Sequence, residues 1–225
     1  MTLVKLEKVN KIYETDATSV KALDNVTLGV EKGEFMSIAG PSGSGKTTLL
    51  NLIGALDTPT SGEVKIEDRN TSEMSSSELD NLRLKKIGFV FQTFNLIPTL
   101  TALENVEIVL SIAGLSTSEQ NDRASELLEL VGLGDRLDHR PNQLSAGECQ
   151  RVAIARSLAN DPDIVLADEP TGNLDTDTGD EIIDLMRDLN EDFEKTFIIV
   201  THDPNVAKRT NRIVNLRDGK VENED

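Results

Sequence analysis

The sequence predicts an α/β fold whose core is a mostly parallel sheet, with an N-terminal antiparallel β subdomain and an inserted α-helical subdomain. Three observations predict this arrangement. Short apolar runs bounded by turn residues, such as Phe35–Ala39, indicate buried parallel strands. Apolar and polar residues alternate between Leu3 and Val30, which is typical of an antiparallel sheet. The helical periodicity between residues 95 and 160 interrupts the core strands. We expect one domain over residues 1–225, with the helical subdomain approximately at 95–160.

The first strands lie at Leu3–Val9 and Val20–Val30, where apolar residues recur at alternate positions. Tyr13, the one tyrosine of the chain, follows the first of them. If its ring lies beside a nucleotide, it can stack on adenine. The pattern is equally compatible with a strand tyrosine that packs on the core, so both interpretations stay open.

The stretch Gly-Pro-Ser-Gly-Ser-Gly-Lys-Thr-Thr, from Gly40 to Thr48, matches the pattern G-x-x-x-x-G-K-[ST]. An apolar strand precedes it and helix-spaced leucines follow, so the loop joins a strand to a helix. Glycines let backbone N–H groups approach a polyphosphate, and the helix N-terminus adds partial positive charge. We expect Lys46 to neutralise the outer phosphates and the Thr47 hydroxyl to ligate Mg²⁺. We call the whole stretch the phosphate loop; it comprises Gly40, Pro41, Ser42, Gly43, Ser44, Gly45, Lys46, Thr47 and Thr48.

After the phosphate loop, a short strand is predicted at Glu63–Glu67, and the serines at 75–77 can cap a short helix. The apolar strand Ile87–Phe91 ends at Gln92. Because the carboxyl ends of parallel strands face the ligand crevice, the Gln92 amide oxygen could reach Mg²⁺ or an attacking water. The next loop is either a partner-docking face or part of the helical core, since it contains Phe94, Leu96, Ile97 and Leu100.

The helical segment begins with a predicted helix over Thr101–Ile112, and Ser118 is the expected N-cap of the next one. A later helix opens at Leu144–Glu148, where Ser145 fits the N-cap position. A helix start with a hydroxyl and a glycine N–H is a second anion-binding device. One nucleotide does not need two such devices from one chain, which indicates a site shared between two molecules.

Two further core strands end in polar residues. Ile164–Ala167 is followed by Asp168 and Glu169, adjacent carboxylates that can serve phosphoryl transfer. Asp168 can hold a Mg²⁺-bound water, and Glu169 can polarise the attacking water. The strand Thr196–Thr201 ends at His202, whose ring could form a hydrogen bond with a γ-phosphate.

The composition narrows the class of protein. The net charge of −17, from 40 acidic and 23 basic residues, disfavours a nucleic-acid-binding protein, which would need a basic face. The single cysteine, Cys149, excludes an internal disulfide and a multi-cysteine metal site. No apolar run approaches the ~20 residues that span a bilayer, and the N-terminus lacks a signal-peptide pattern. We therefore expect a cytoplasmic protein that acts at a membrane only through a partner.

The acidic excess leads to a prediction about salt. In a high-salt cytoplasm, screening suppresses the self-repulsion of a chain with a charge of −17. If the protein is adapted to such a cytoplasm, its free energy of unfolding and its activity fall as salt is lowered to a few tens of millimolar. Thermal unfolding across a salt series measures this. A protein that stays folded and active at low salt is an ordinary acidic cytosolic protein, the alternative that composition leaves open.

In order along the chain, these motifs resemble those of the nucleotide-binding subunits of ATP-binding-cassette (ABC) transporters, over essentially the whole length. Within that family, Phe89–Leu96 and Asp168–Asp175 resemble the lipoprotein-release and macrolide-export branch (LolD/MacB). The related cell-division ATPase FtsE stays an alternative. The motifs that carry the resemblance are Tyr13, the phosphate loop, Gln92, Leu144–Glu148, Asp168-Glu169, Asp175 and His202.

The resemblance implies a P-loop NTPase (RecA-like) core and a Mg²⁺-dependent ATPase. Tyr13 would stack on adenine, and the phosphate loop would bind the phosphates. The implied Mg²⁺ ligands are Thr47 and Gln92, and Asp168 completes the expected metal site through a Mg²⁺-bound water. Glu169 would be the catalytic base, and His202 would contact the γ-phosphate.

The resemblance also implies two partners: a second copy of the chain and an integral membrane permease at the inner face of the cell membrane. Ser145 and Gly147 would contact the γ-phosphate of ATP bound to the other copy, in a head-to-tail dimer that Asp175 helps to couple. The alternative is an FtsE-like ATPase that regulates a membrane partner without transport. The signature Leu144–Glu148 departs from the family's usual Leu-Ser-Gly-Gly-Gln at Ala146 and at Glu148, and a glutamate at the last position is common in this branch. We expect Gly147 to keep the close approach. Cys149 stands where glutamine is usual and is expected to be non-catalytic.

Overall fold

The computed structural model describes residues 1–14 and 18–224. Its strands are β1 (Thr2–Glu14), β2 (Ser19–Glu31), β3 (Phe35–Ala39), β4 (Ser61–Ile66), β5 (Arg69–Asn70), β6 (Ile87–Phe91), β7 (Ile164–Asp168), β8 (Thr196–Thr201), β9 (Arg212–Arg217) and β10 (Lys220–Glu224). Its α-helices are α1 (Lys46–Ile53), α2 (Ser76–Lys86), α3 (Ala102–Ile112), α4 (Thr117–Leu130), α5 (Ala146–Ser157), α6 (Thr176–Phe193) and α7 (Pro204–Ala207).

The strands form two sheets. An antiparallel sheet has the order β2-β1-β4-β5, and a larger sheet has the order β10-β9-β3-β8-β7-β6. In the larger sheet β9, β3, β8, β7 and β6 run parallel, and only β10 is antiparallel to its neighbour. The α/β class, with an antiparallel N-terminal sheet and a mostly parallel core sheet, is confirmed.

The central strands are buried on both faces, so their alternating side chains enter two separate hydrophobic cores. In β8, Ile198 and Val200 join the core shared with the antiparallel sheet and α1. Phe197 and Ile199, on the opposite face, join the core built with α3, α4, α5 and α6. This alternation fixes the register of β8, because a slip of one residue would exchange the two sets of side chains.

The helices between β6 and β7 pack on one another, as the helical periodicity predicted. Helix α5 also contacts β6 and α6 of the core, so the bounds 95 and 160 of a helical subdomain stay a prediction. The predicted N-cap Ser118 is wrong: Ser116 caps α4, accepting a hydrogen bond from Glu119 N at 3.4 Å. The Glu119 carboxylate in turn accepts from Ser116 N at 2.8 Å. Only a residue three positions before Glu119 can make this reciprocal pair.

The antiparallel sheet and the C-terminal hairpin both contact the phosphate loop. Asp24 N donates a hydrogen bond to Gly219 O at 2.8 Å, and Gly219 N donates to Ser44 O at 2.9 Å. Gly219 therefore holds the loop directly and links it to β2. Within the described ranges, the structure contains no helix that is both long enough and apolar enough to cross a bilayer.

Candidate nucleotide site

Four neighbouring strands bring their carboxyl ends to one edge of the larger sheet. Ala39 pairs with Thr201, Val200 with Asp168, and Asp168 with Phe91. Adjacent strands lie about 4.8 Å apart, so the residues that follow them are close neighbours. In the spatial order β3, β8, β7 and β6, these carboxyl ends lead to the phosphate loop, to His202, to the acidic pair Asp168-Glu169 and to Gln92. The structure thus gathers at one edge the residues that the sequence placed at strand ends.

The phosphate loop has the backbone that its glycines permit. Gly45, the N-cap of α1, has φ +103°, and a Cβ atom there would lie 2.4 Å from Ala22 O. A larger residue would be strained and would collide with β2. Pro41, Ser42 and Gly43 are exposed at the tip of the loop. The Ser44 hydroxyl oxygen is buried without a hydrogen-bond partner in the described chain, as a cradle for a polar ligand would require.

Lys46 lies over the phosphate loop. Its side chain is buried, and Nζ donates to Gly40 O at 2.8 Å and to Pro41 O at 3.0 Å. An ammonium group held by two carbonyls at the mouth of a helix N-terminus is a fixed positive charge in a chain that is otherwise acidic. Phosphate oxygens are the ligand that such a charge favours.

The predicted metal ligands Thr47 and Asp168 are brought together. Thr47 Oγ1 lies 3.3 and 3.4 Å from the two carboxylate oxygens of Asp168. Burial, with the charge of Glu169 beside it, raises the pKa of Asp168 against the opposing effects of Thr47 and Lys46. A cation would relieve this cost of ionisation.

The donor set fits Mg²⁺, which takes oxygen ligands and commonly uses one or two carboxylates with substrate phosphates. In the part of the chain that the structure describes, no cluster of three His, Cys, Asp or Glu side chains forms an all-protein metal site.

Glu169 and His202 form a pair. Glu169 Oε1 lies 2.7 Å from His202 Nδ1, and only 17% of the Glu169 side chain is exposed. Glu169 has φ +48°, a left-handed backbone that is uncommon for glutamate, while its N–H donates to Val200 O at 2.9 Å. Strained backbone of this kind clusters at functional sites. The pair therefore has the features of a positioned base.

Gln92 is exposed and bound to a residue that the sequence reasoning missed. Its Nε2 donates to Asn173 Oδ1 at 3.3 Å, and Asn173 Nδ2 donates to the Gln92 backbone carbonyl at 2.9 Å. The signal for Asn173 was its position in the polar loop that follows the acidic pair. Asn173 thus connects the ends of two neighbouring strands.

An open pocket of about 380 Å³ lies against the phosphate loop. One wall of this pocket is the phosphate loop, which the sequence predicts. The opposite wall contains Val20, Lys21 and Asp218, which the sequence did not indicate. No local pattern marks this wall, because the register that pairs Val20 with Tyr13 is not specified by periodicity. A larger cleft of about 840 Å³ lies elsewhere, between α2, β6 and α3, and contains none of the predicted site residues.

Tyr13 is not a core residue. Its side chain is on the surface, with 39% of the residue exposed, and its hydroxyl donates to Asp57 Oδ2 at 2.9 Å. The core-packing interpretation of this tyrosine is therefore wrong. The exposed ring remains available for stacking.

Ser145 caps α5 as predicted, accepting from Glu148 N at 3.2 Å, and Glu148 accepts from Ser145 N at 2.8 Å. Gly147 is buried, and a Cβ atom there would lie 2.5 Å from Thr178 Cγ2, so packing against α6 requires the glycine. Ala146 is exposed, which accommodates its extra methyl group.

Asp175 caps α6 by accepting from Thr178 N at 3.0 Å. Among the described residues that line the phosphate-loop pocket, neither Ser145 nor Gly147 appears.

Two further sequence features have a structural explanation. Cys149 is buried, its thiol donates to Pro141 O at 3.5 Å, and burial raises its pKa, so it is protonated at neutral pH. In the apolar loop after Gln92, Leu96 packs against the helical core, whereas Ile97 is 37% exposed. The core interpretation therefore holds for Leu96, and the docking face stays a prediction for the exposed part of the loop.

Comparisons with known proteins agree with this geometry. The chain is 55% identical over 220 residues to an uncharacterized ABC transporter ATP-binding protein of Thermotoga maritima, covering 98% of this chain and 94% of that one. It is 53% identical over 227 residues to a similar protein of Methanocaldococcus jannaschii, MJ0796, covering 99% and 97%. It is also 47% identical to the macrolide export ATP-binding/permease protein MacB of Hyphomonas neptunium. That match covers 97% of this chain but only about a third (34%) of MacB.

Among solved structures, a dimeric post-hydrolysis state of the cassette MJ0796 bound to ADP and Pi superposes with a TM-score of 0.90. It is 52% identical, over 99% of this chain and 98% of that one. A second dimeric structure of MJ0796 superposes with a TM-score of 0.91 at the same identity and coverage. The family model of ABC transporters matches residues 23–172. Together with the shared fold and the ordered motifs at one sheet edge, these matches show that the chain belongs to the ABC transporter family.

Proposed function

We propose that this chain is an ATP-hydrolysing subunit that closes around ATP with a second copy of itself and drives a separate membrane permease. The observation that carries the proposal is the single sheet edge at which the phosphate loop lies beside Asp168, the Glu169–His202 pair and Gln92. A cradle for phosphates and a positioned base on neighbouring strands are the parts that phosphoryl transfer to water needs.

Separate residues bind the nucleotide, align the attacking water and hold the metal ion. Lys46 and the backbone N–H groups of the phosphate loop bind the outer phosphates, and Tyr13 stacks on the base. Glu169 accepts a hydrogen bond from the attacking water and aligns it, while His202 fixes the Glu169 carboxylate and contacts the γ-phosphate. Thr47, Asp168 and Gln92 would hold Mg²⁺. The ion, when bound, neutralises charge on the phosphates.

The second copy completes each site. The Ser145 oxygen accepts a hydrogen bond from Glu148 N, and its O–H, which faces the Glu148 carboxylate, can turn to donate to a phosphate oxygen. The N-terminus of the 12-residue α5 adds partial positive charge at the same point. In a head-to-tail dimer, Ser145 and the adjoining signature residues face the ATP of the partner, and Asp175 couples the two sites. The dimeric MJ0796 cassettes support a dimer of this chain.

The names of the relatives favour a transport-coupled role. The two relatives of matching length are named ABC transporter ATP-binding proteins, and MacB is named an ATP-binding/permease protein. We infer that this chain docks on a permease of the lipoprotein-release or macrolide-export type and so lies at the inner face of the cell membrane. An FtsE-like regulator is the second candidate. Reconstitution with the permease distinguishes them, because only a transporter moves a substrate as ATP is consumed.

The direct test of the proposal is ATP turnover with the oligomeric state measured alongside. With Mg²⁺ and ATP, we expect phosphate release and a shift from monomer to dimer by light scattering, and we expect EDTA to stop the release. Lys46→Ala should weaken ATP binding by about 10- to 100-fold, since it removes charge-assisted hydrogen bonds.

The matched control is Lys65→Ala, which removes a lysine of the antiparallel sheet that pairs with Glu63 and Glu7. It should bind ATP as the wild type does. Hydrolysis by a strict monomer, or unchanged affinity in Lys46→Ala, would contradict the proposal.

A further inference from the structure

We propose that Asp57, held by Lys11, is a positioning residue for Tyr13: it fixes the ring that receives the base of ATP and so strengthens nucleotide binding without contacting the nucleotide. The inference rests on the proposed function, because it concerns how that same site holds the base platform, which is the Tyr13 ring on which the base stacks.

Both carboxylate oxygens of Asp57 are engaged. Oδ2 accepts the hydrogen bond from the Tyr13 hydroxyl at 2.9 Å. Oδ1 accepts from Lys11 Nζ at 2.6 Å and from Thr58 N at 2.7 Å. Lys11 Nζ also donates to Thr58 O at 2.9 Å. The carboxylate therefore has one orientation, in which one oxygen is reserved for the tyrosine.

This cluster is sheltered, unlike most surface ion pairs. The Lys11 side chain is 11% exposed and that of Asp57 is 27% exposed, whereas Tyr13 above them is 39% exposed. Burial opposes ionisation of Asp57, but the hydrogen bonds from Lys11, Thr58 N and Tyr13 outweigh it and lower the pKa of the carboxyl. Burial raises the pKa of the Tyr13 hydroxyl, so it stays a donor. A charge-assisted bond in a sheltered site restrains the ring more firmly than a neutral exposed one.

The two faces of the Tyr13 ring are not equivalent. Lys11 Nζ lies 4.9 Å from the ring centroid and covers one face. The base can therefore stack only on the other face. Because the hydroxyl is anchored and one face is occupied, little side-chain freedom remains to be lost on binding, which is the general origin of affinity through preorganisation.

The cluster also connects the ring to the phosphate loop. Asp57 N donates to Asn51 O at 3.3 Å, and Asn51 lies on α1, the helix that begins in the phosphate loop. The side chain of Thr48, in the loop, forms a hydrogen bond with the Tyr13 hydroxyl that opposes the rise in its pKa. One short helix thus sets the distance between the base platform and the phosphate cradle.

The alternative is that these contacts only attach β1 to α1 and stabilise the fold. Inorganic tripolyphosphate distinguishes the two roles, since it occupies the phosphate cradle but has no base. Calorimetry with Mg²⁺ should show that Asp57→Ala weakens ATP binding about three- to tenfold and changes tripolyphosphate binding less than about twofold. Tyr13→Phe, which keeps the ring but loses the anchor, should weaken ATP binding to a similar extent.

A double-mutant cycle tests whether Asp57 acts through the tyrosine. Tyr13→Phe/Asp57→Ala should bind ATP no more weakly than Asp57→Ala, and Asp57→Asn, which keeps an acceptor for the hydroxyl, should recover part of the affinity. Glu63→Gln, which removes an acid of an ion pair on the same antiparallel sheet, is the control and should bind ATP normally. Thermal unfolding of each variant confirms that it is folded.

Lys46→Ala and Tyr13→Ala are reference variants that distinguish failure of the positioning role from failure of the proposed function. If Lys46→Ala and Tyr13→Ala weaken ATP binding but Asp57→Ala or Tyr13→Phe does not, the positioning role is overturned and the proposed function stands. The role is also overturned if the double variant shows additive losses, or if tripolyphosphate and ATP binding fall equally in folded Asp57 variants. If Lys46→Ala itself binds ATP normally, the proposed function fails first.

Discussion

Glu169→Gln should lower the rate of ATP hydrolysis by about 100- to 10,000-fold, the range for loss of a positioned general base. Glutamine keeps the volume and one oxygen, so its contact with His202, now 2.7 Å for the carboxylate, can persist in weaker form. ATP affinity should change little, because Lys46 and the phosphate loop are untouched. We therefore expect an ATP-bound dimer that accumulates and does not turn over. Single-turnover phosphate release and light scattering measure the two effects.

The control for this prediction is Asp161→Asn. Asp161 precedes the same strand, β7, at its opposite end, and its exposed carboxylate pairs with Lys195 at 2.8 Å. This variant should hydrolyse ATP at the wild-type rate. If Glu169→Gln also does so, Glu169 is not the base and the proposed mechanism is wrong.

Ser145→Ala should reduce hydrolysis about 10- to 100-fold while a single chain binds ATP as before. The substitution removes the hydroxyl that we place on the γ-phosphate of the partner's ATP, and it also removes the cap of α5. ATP binding by monomers below the dimerisation concentration, measured beside turnover at high concentration, separates the two effects. A weaker ATP-dependent dimer is the expected cause of the loss.

Helix α4 supplies a matched control, because Ser116 forms the same capping box with Glu119 that Ser145 forms with Glu148. Ser116→Ala should cost about 0.5–2 kcal/mol of stability, as Ser145→Ala should, but should leave hydrolysis unchanged. Equal turnover in the two variants would mean that Ser145 is only a helix cap and that the site is not shared.

Much of the fold could be predicted because its signals are local. The strand Ile87–Phe91 is an apolar run that ends where the chain turns polar, and the structure has the same bounds. The N-cap of α4 shows the limit of local signals. Ser116 and Ser118 are both good caps by residue type, and the choice depends on the hydrogen bonds of Glu119.

The site was predictable to the extent that its residues follow strands. Asp168 and Gln92 could be placed because parallel strands share one edge. Contacts between distant segments could not be found in this way. Asn173 meets Gln92 across 81 positions, and Asp57 meets Tyr13 across 44, and no local pattern marks either pair. The surface position of Tyr13 likewise depends on hairpin register and on partners that periodicity does not specify.

The central place of β8 has a consequence for how such an enzyme can be altered. This strand separates β3, which leads into the phosphate loop, from β7, which leads into the acidic pair. The position of β8 therefore sets the distance between the phosphate loop, which binds the nucleotide, and Glu169, which aligns the attacking water. We expect a smaller side chain at Ile199 or Val200 to shift this spacing, although both residues are fully buried. We therefore expect catalysis to be tunable from buried positions of β8 that never meet the nucleotide.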